Sequence, residues 1–198
     1  MKTFLTAFTT ASLATAVAAQ AGLLFSAGVP VADVDISGGP VTITVPLYIE
    51  QTSPTTSISG VGLYSVGSAV TRTGGSATLT GAARFDANFD DAGFSSVSFT
   101  PTSALLKVQR DEVGGLSNAS GKLQFGTLSL LLSNVGTSTF TLSDNDLDAD
   151  DTLDGNIDPL DVLISNSAFS VTAVVPEPAV LSFTLLAVPA LLRRRRGQ

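Results

Sequence analysis

The stretch Val41-Thr42-Ile43-Thr44-Val45-Pro46-Leu47-Tyr48-Ile49-Glu50 decides the fold of this chain. Every second residue is apolar, which predicts a β-strand with one face buried in a core. Pro46 has no backbone N–H and cannot donate to a neighbouring strand. We therefore expect this strand to lie at a sheet edge or to be locally bulged.

Short segments of the same kind recur along the chain, and their separators are rich in Gly, Ser, Thr, Asn and Asp. They cover residues 60–66, 77–85, 95–100, 104–108, 122–133, 137–143 and 168–174. No convincing 3.6-residue period interrupts them, and this spacing is typical of antiparallel β-sandwiches. The prediction is an all-β, antiparallel β-sandwich of the jelly-roll type over residues 22–174.

The longest segment changes phase. Leu123 and Phe125 are apolar at odd positions, whereas every second residue from Leu128 to Leu132 is apolar at even positions. A β-bulge at Gly126-Thr127 would direct both sets to the core. A strand buried on both faces would give the same pattern, so the two interpretations stay open.

The N-terminus has the features of an export signal. Lys2 is followed by a weakly apolar region over residues 4–17, and Ala19-Gln20-Ala21 fits a small-residue cleavage site. We predict a signal helix over residues 1–21, cleaved after Ala21 or alternatively after Ala19.

The C-terminus has the features of a second targeting signal. A short polar motif precedes an apolar run over residues 179–192, and a basic cluster follows that run. The run is 14 residues long, short of the roughly 20 needed to span a bilayer, and counting from Val171 brings it closer. The motif and the cluster consist of Val175, Pro176, Glu177 and Pro178, with Arg193, Arg194, Arg195 and Arg196.

This order of motif, apolar helix and arginines over residues 175–198 resembles a PEP-CTERM sorting signal. The resemblance implies recognition by an exosortase-type membrane enzyme that cleaves near the motif. It implies that the tail holds the chain transiently in the membrane, with the arginines on the cytoplasmic side. The expected location is the cell surface or the extracellular space.

Composition narrows the function further. The chain of 198 residues has no Cys, His or Trp, which excludes Ser-His-Asp and Cys-His catalytic sites, the usual zinc sites and disulfides. Without both termini the body holds 16 acidic and five basic residues. Such an acidic body repels phosphate backbones, so nucleic acid is not an expected partner.

Four segments in order resemble the cohesin-like sandwich of bacterial surface proteins. They are residues 42–48, 60–64, 122–128 and 136–143. The resemblance implies a β-sandwich used in binding or assembly and not in catalysis.

Eight of the 17 acidic residues lie between Ser143 and Asp161. Read from Asp150, the spacing follows a calcium-loop pattern in outline, with Gly155 at the sharp turn and Ile157 directed into the core. The candidate ligands are Asp150, Thr152, Asp154, Asn156, Asp158 and Asp161. The loop also resembles the calcium loop of dockerin modules, which implies calcium as the ion.

Two alternatives stay open for this acidic segment. A second frame runs through Asp144, Asp146, Asp148 and Asp150 but has Ala149 where Gly is wanted. A solvated acidic loop without any ion is the other alternative.

A glycosidase would need paired carboxylates beside a stacking platform, for which Asp86, Asp90 and Asp91 near Phe85, Phe89 and Phe94 are the candidates. Acids in such turns are normally solvated, so we expect no enzyme. We predict a non-enzymatic surface or extracellular-matrix protein. The alternative is a module that binds an extracellular polysaccharide or a surface protein through a calcium-stabilised domain.

Overall fold

A computed structural model of the chain describes residues 22–30, 32–52, 57–112, 114–145 and 150–176. Strands dominate these ranges: β1 (Leu23–Ala27), β2 (Val34–Asp35), β3 (Val41–Gln51), β4 (Leu63–Gly74), β5 (Thr78–Arg84), β6 (Ser96–Phe99), β7 (Ser103–Gln109), β8 (Lys122–Leu132), β9 (Gly136–Ser143), β10 (Leu153–Asp154), β11 (Ile164–Ser165) and β12 (Ser167–Val174). A π-helical turn covers Ser57–Val61 and a 3₁₀ turn covers Asp161–Leu163.

The strands form two sheets. The smaller sheet has the order β11-β1-β3-β8-β5, and the larger has the order β2-β12-β9-β4-β7-β6, with β10 added beside β4. All pairings between the longer strands are antiparallel, and the two parallel pairings, β1 with β11 and β12 with β2, are two residues long. The predicted antiparallel β-sandwich is therefore confirmed.

The core lies between the sheets and is built from the alternating apolar positions. Val45, Leu47 and Ile49 of β3 are fully buried, as are Phe25 of β1 and Phe125 of β8. Phe25 and Phe125 pack with ring centroids 5.6 Å apart. The period-two pattern thus places each apolar set on the inner face, because successive strand residues point to opposite faces.

The edge position expected for β3 is wrong, since β3 lies between β1 and β8. A bulge does lie beside this part of β3, where the pairing shifts between Leu47 and Tyr48, but its extra residue belongs to β8 and β3 itself is not bulged. Pro46 is tolerated inside the sheet because its carbonyl accepts the N–H of Gly28, just beyond the end of β1. The Pro46 nitrogen faces the same side as this carbonyl. Because β1 has already ended there, no strand residue needs an N–H from Pro46.

The bulge also explains the phase change in β8. Leu47 pairs with Gly126 and Tyr48 pairs with Gln124, so Phe125 is the extra residue. Phe125 and Gly126 are both buried, and the alternation resumes in the other phase at Leu128. Of the two open interpretations, the structure contains the bulge, with Phe125 as its extra residue, directly before the predicted Gly126-Thr127.

A buried hydroxyl joins β9 to the turn between β4 and β5. Ser138 is 3% exposed, and its Oγ accepts the N–H groups of Ser76 and Ala77 at 3.0 and 2.9 Å. Ser76 is exposed and Ala77 is buried, so the hydroxyl satisfies one N–H, that of Ala77, that would otherwise be buried without a partner.

The helices predicted for the two termini lie outside the described residues. Within the described ranges, no helix is long and apolar enough to cross a membrane.

Candidate metal centre

Some of the acidic residues between Ser143 and Asp161 meet beside β4, at a place where strand pairing in the larger sheet is interrupted. β9 ends at Ser143, which pairs with Ala69 of β4, and the chain returns to β4 as β10, where Leu153 pairs with Ser65. Gly67 of β4 lies between these two pairings. The gap beside Gly67 is filled by the polypeptide around Asp151.

Gly67 is required by this arrangement. A Cβ atom built at Gly67 would lie 1.7–1.8 Å from the carboxylate atoms of Asp151. The segment is held there by two hydrogen bonds: Ser65 Oγ donates to the Asp151 carbonyl at 2.7 Å, and the Gly67 N–H donates to Thr152 Oγ1 at 3.1 Å. The Asp151 carboxylate therefore lies directly over the backbone of β4, where it is 2% exposed.

Three carboxylates converge at this point. One oxygen each of Asp144, Asp151 and Asp161 lies within 4.8 Å of the other two. Asn145 Nδ2 donates to Asp151 Oδ2 at 2.9 Å, and the N–H of Thr152 donates to Asp161 Oδ1 at 3.1 Å. We call Asp144, Asn145, Asp151 and Asp161 the carboxylate cluster.

Some acceptor oxygens of the carboxylate cluster are buried without a donor. Among the described residues, Asp151 Oδ1, Asn145 Oδ1 and Asp161 Oδ2 have almost no solvent contact and accept no hydrogen bond. Buried acceptors of this kind are rare and costly, since native structures pair the great majority of them. Together with the mutual proximity of the three carboxylates, these unpaired acceptors indicate a place for a positively charged group.

The electrostatics of Asp151 point the same way. Burial and the negative charges of Asp144 and Asp161 together raise the pKa of Asp151 from 3.8 to about 7, against the Asn145 hydrogen bond and the charge of Lys107. Lys107 is the cross-strand partner of Gly67 on β7. A buried carboxylate without a cation beside it keeps its proton to higher pH, because its charged form is poorly solvated. A bound cation would stabilise the charged form.

The structure separates most of the six ligands predicted from the Asp150 frame. Asp161 belongs to the carboxylate cluster. Asp154 instead uses Oδ1 to accept the N–H groups of Asn156 and Asp158 at 2.8 and 3.0 Å, as in an Asx turn. Asp150, Asn156 and Asp158 are exposed, and Thr152 Oγ1 faces Gly67.

Two details of that frame differ from expectation. Ile157 does not enter the core: it has a φ of 67° and is 49% exposed, because the Asx turn at Asp154 directs it outward. Gly155 is needed for close packing, since a Cβ there would lie 2.2 Å from the backbone nitrogen of Gly115. The six-residue frame as a calcium site stays a prediction, and Asp146 and Asp148 of the second frame lie outside the described residues.

Sequence reasoning overlooked Asn145 and Asp151 as candidate ligands. A linear motif finds ligands on one continuous loop, whereas these side chains meet because the chain leaves the sheet and returns. A usable signal was present in β4, where a glycine inside a strand marks a close approach of another group.

The carboxylates considered for a glycosidase are engaged in turns. Asp86 pairs with Arg84 Nε at 2.5 Å. Asp90 accepts the N–H of Asp111, and Asp91 accepts that of Gly93. Phe89 is fully buried, whereas Phe94 is 73% exposed, so no aligned stacking platform joins them.

The sorting motif is described only in part. Val175 and Pro176 are exposed directly after β12. Glu177, Pro178 and Arg193 to Arg196 lie outside the described residues.

No protein-family model matches the chain, and no curated protein matches it. Solved structures do match. CaCohA2 from Clostridium acetobutylicum, solved in a complex, is 17% identical with a TM-score of 0.51, and the match covers 76% of this chain and 99% of that one.

Two type I cohesin–dockerin complexes from Clostridium thermocellum give similar matches. The OlpA complex is 13% identical with a TM-score of 0.52, covering 77% of this chain and 99% of the other. The OlpC complex is 12% identical with a TM-score of 0.52, covering 78% and 96%. At this identity the likeness establishes the fold, which is the β-sandwich of cohesin modules.

Proposed function

We propose that this chain is an exported, non-catalytic β-sandwich module of the cell surface or extracellular matrix that binds a protein partner. The observation that carries the proposal is the match of its body to nearly the full length of cohesins solved in complexes with dockerins. A sandwich of this kind presents two broad outer faces on a rigid core, which suits binding better than it suits chemistry.

The termini support the exported location. Residues 1–21 act as a signal peptide, residues 22–174 as the folded domain, and residues 175–198 as the sorting signal that an exosortase-type enzyme processes. The exposure of Val175 and Pro176 supports this assignment, because a sorting enzyme needs an accessible chain next to the folded body.

The outer face of the smaller sheet is the surface we assign to the partner. Tyr48 is partly exposed there, with the Lys122 ammonium 4.3 Å from its ring centroid. Lys122 Nζ also lies 2.6 Å from Glu50 Oε1. A tyrosine ordered by a neighbouring charge pair resembles the rigid, amphipathic anchors common at protein interfaces.

A polysaccharide ligand is the second candidate for the same face. Sugar-binding surfaces use exposed aromatic rings, and this chain has no Trp and only two Tyr residues. Of those two, Tyr64 accepts a hydrogen bond from Gln109. The protein partner is therefore favoured.

Cell fractionation tests the location. The full chain with an internal epitope tag is followed in bacteria that encode an exosortase-type enzyme and in a strain lacking it. We expect processed chain outside the cells of the first strain and retained, unprocessed chain in the second. An intact chain in the cytosol of both strains would overturn the export proposal.

Binding is tested with the purified chain on a sensor surface against extracellular proteins and matrix polysaccharide from the same cells. We expect saturable binding of a protein component, weakened at least about tenfold by Tyr48→Ala, as for an interface anchor. Thr139→Ala, on the outer face of the larger sheet, is the matched control and should bind like the parent. Binding of polysaccharide alone would support the second candidate, and binding that ignores Tyr48 would refute the assigned face.

A further inference from the structure

We propose that the carboxylate cluster is a calcium site, with Asp144, Asp151 and Asp161 as carboxylate ligands and the Asn145 side-chain carbonyl as a fourth oxygen. This set differs from the continuous loop frame, with which it shares only Asp161. The proposal does not depend on export or on the protein partner.

The geometry fits a cation of this size. Calcium binds oxygen at about 2.3–2.6 Å, so two oxygens on one ion lie at most about 5 Å apart. The three carboxylate oxygens of the cluster are all within 4.8 Å of one another. Magnesium binds oxygen at about 2.0–2.1 Å and demands a near-ideal octahedral arrangement, whereas calcium accepts less regular sites.

The chemistry of the donors also fits. Carboxylate and amide oxygens are the hard ligands that calcium prefers. Asn145 is 7% exposed and Asp151 is 2% exposed, yet each keeps a buried oxygen that accepts no hydrogen bond. These unpaired oxygens are an observation separate from the acidic charge itself, because a solvated acidic loop would expose such atoms to water.

The surrounding hydrogen bonds orient the ligands. Asn145 Nδ2 holds one oxygen of Asp151, which leaves the other directed into the cluster. The Thr152 N–H holds Asp161 Oδ1 in the same way and leaves Oδ2. Each of these two carboxylates thus has one oxygen fixed by a hydrogen bond and one oxygen available to the ion. Hydrogen bonds from neighbouring groups generally orient the ligands of a metal site in this way.

The cluster also explains how an ion would act on the fold. The four residues come from the end of β9, from the start of the returning segment and from the 3₁₀ turn at Asp161–Leu163. An ion shared among them fastens the returning segment to β4. Calcium would therefore bind the folded chain alone and raise its melting temperature.

The experiment compares variants that separate the cluster from the continuous frame. The full-length chain is stripped with EDTA and melted at increasing calcium chloride, and bound calcium is counted by equilibrium dialysis. We expect one ion per chain with a Kd of about 10⁻⁴–10⁻³ M, as in other extracellular modules. We also expect a melting temperature raised by roughly 5 °C at about 10 mM calcium.

Asp144→Asn tests the cluster, because Asp144 lies outside the Asp150 frame. Losing this carboxylate should weaken calcium binding on the order of tenfold or more, as affinity follows the ligand charge. Asp158→Asn is the matched control, since Asp158 is exposed and belongs to the Asp150 frame only; it should bind like the parent. If Asp144→Asn does not melt cooperatively, Asp151→Asn against the same control replaces it, because Asp151 also lies outside the Asp150 frame and an asparagine keeps an acceptor oxygen for Asn145.

Three results would overturn the proposal. The first is an unchanged melting curve of the parent chain with calcium. The second is loss of binding in Asp158→Asn with retention in Asp144→Asn, which would assign the ion to the continuous frame. The third is an equal response to magnesium chloride, which would refute calcium as the ion.

Discussion

Replacing Gly67 with alanine tests whether the Asp151 carboxylate is seated on β4. The new Cβ would lie 1.7 Å from Asp151 Oδ1, far inside the 3.0 Å that real Cβ contacts respect. The Asp151 segment would have to move by more than 1 Å. That displacement breaks the Ser65–Asp151 and Gly67–Thr152 hydrogen bonds.

The expected cost follows from those contacts. Each broken bond leaves a buried donor unsatisfied, at about 1–3 kcal/mol, whereas alanine is favoured over glycine in a strand by about 0.5–1 kcal/mol. Gly67→Ala should therefore lower the free energy of unfolding by about 2–4 kcal/mol. Calcium binding should weaken with it, because Asp151 is displaced from the cluster.

Gly81→Ala in β5 is the matched control. Its Cβ would lie 3.4 Å from Ser129, an ordinary contact. Only the backbone effect remains, so this variant should be stabilised by up to about 1 kcal/mol.

Urea unfolding in EDTA, followed by circular dichroism because the chain lacks Trp, measures both variants. If Gly67→Ala is as stable as the parent, or if the two variants change alike, Asp151 does not occupy the space above Gly67.

Three further predictions concern the core, a buried polar contact and an ion pair. Ser138→Ala should cost about 1–3 kcal/mol in urea unfolding, because the buried N–H of Ala77 and the partly buried N–H of Ser76 lose their acceptor, whereas Ser170→Ala on the surface should change little. Phe140→Leu should cost about 1–3 kcal/mol, because this fully buried ring stacks in the core, and an unchanged midpoint would contradict the packing. Burial alone would raise the pKa of Glu50, but the hydrogen bonds and charge of Lys122 and its neighbours lower it below 4.5. The charged form of Glu50 therefore stabilises the fold above pH 4.5, and this stabilisation is lost as the pH falls through the folded-state pKa. Glu50→Gln should cost under about 1 kcal/mol at pH 7 and progressively less in acid; a difference that grows in acid would contradict this.

Local patterns predicted most of the longer strands, whereas β1, β2, β10 and β11 lay outside every predicted segment. The alternation in 41–50 predicted β3, and the phase change predicted the bulge in β8, because side-chain direction along a strand depends on neighbouring residues alone. The edge position expected for β3 was wrong, because strand order depends on distant pairings. Pro46 is compatible with an interior strand only because β1 ends beside it.

The sequence by itself determined that this chain has a β-rich, acidic body, and that its acids concentrate between Ser143 and Asp161. Which of those acids meet was decided by the tertiary structure alone. Asp151 reaches its place by bonding to Ser65, 86 residues earlier in the chain, over a glycine that leaves room for its carboxylate. No spacing rule within a loop can report that contact, because the distance between two ligands in a folded sandwich is set by strand pairing and not by their separation along the chain.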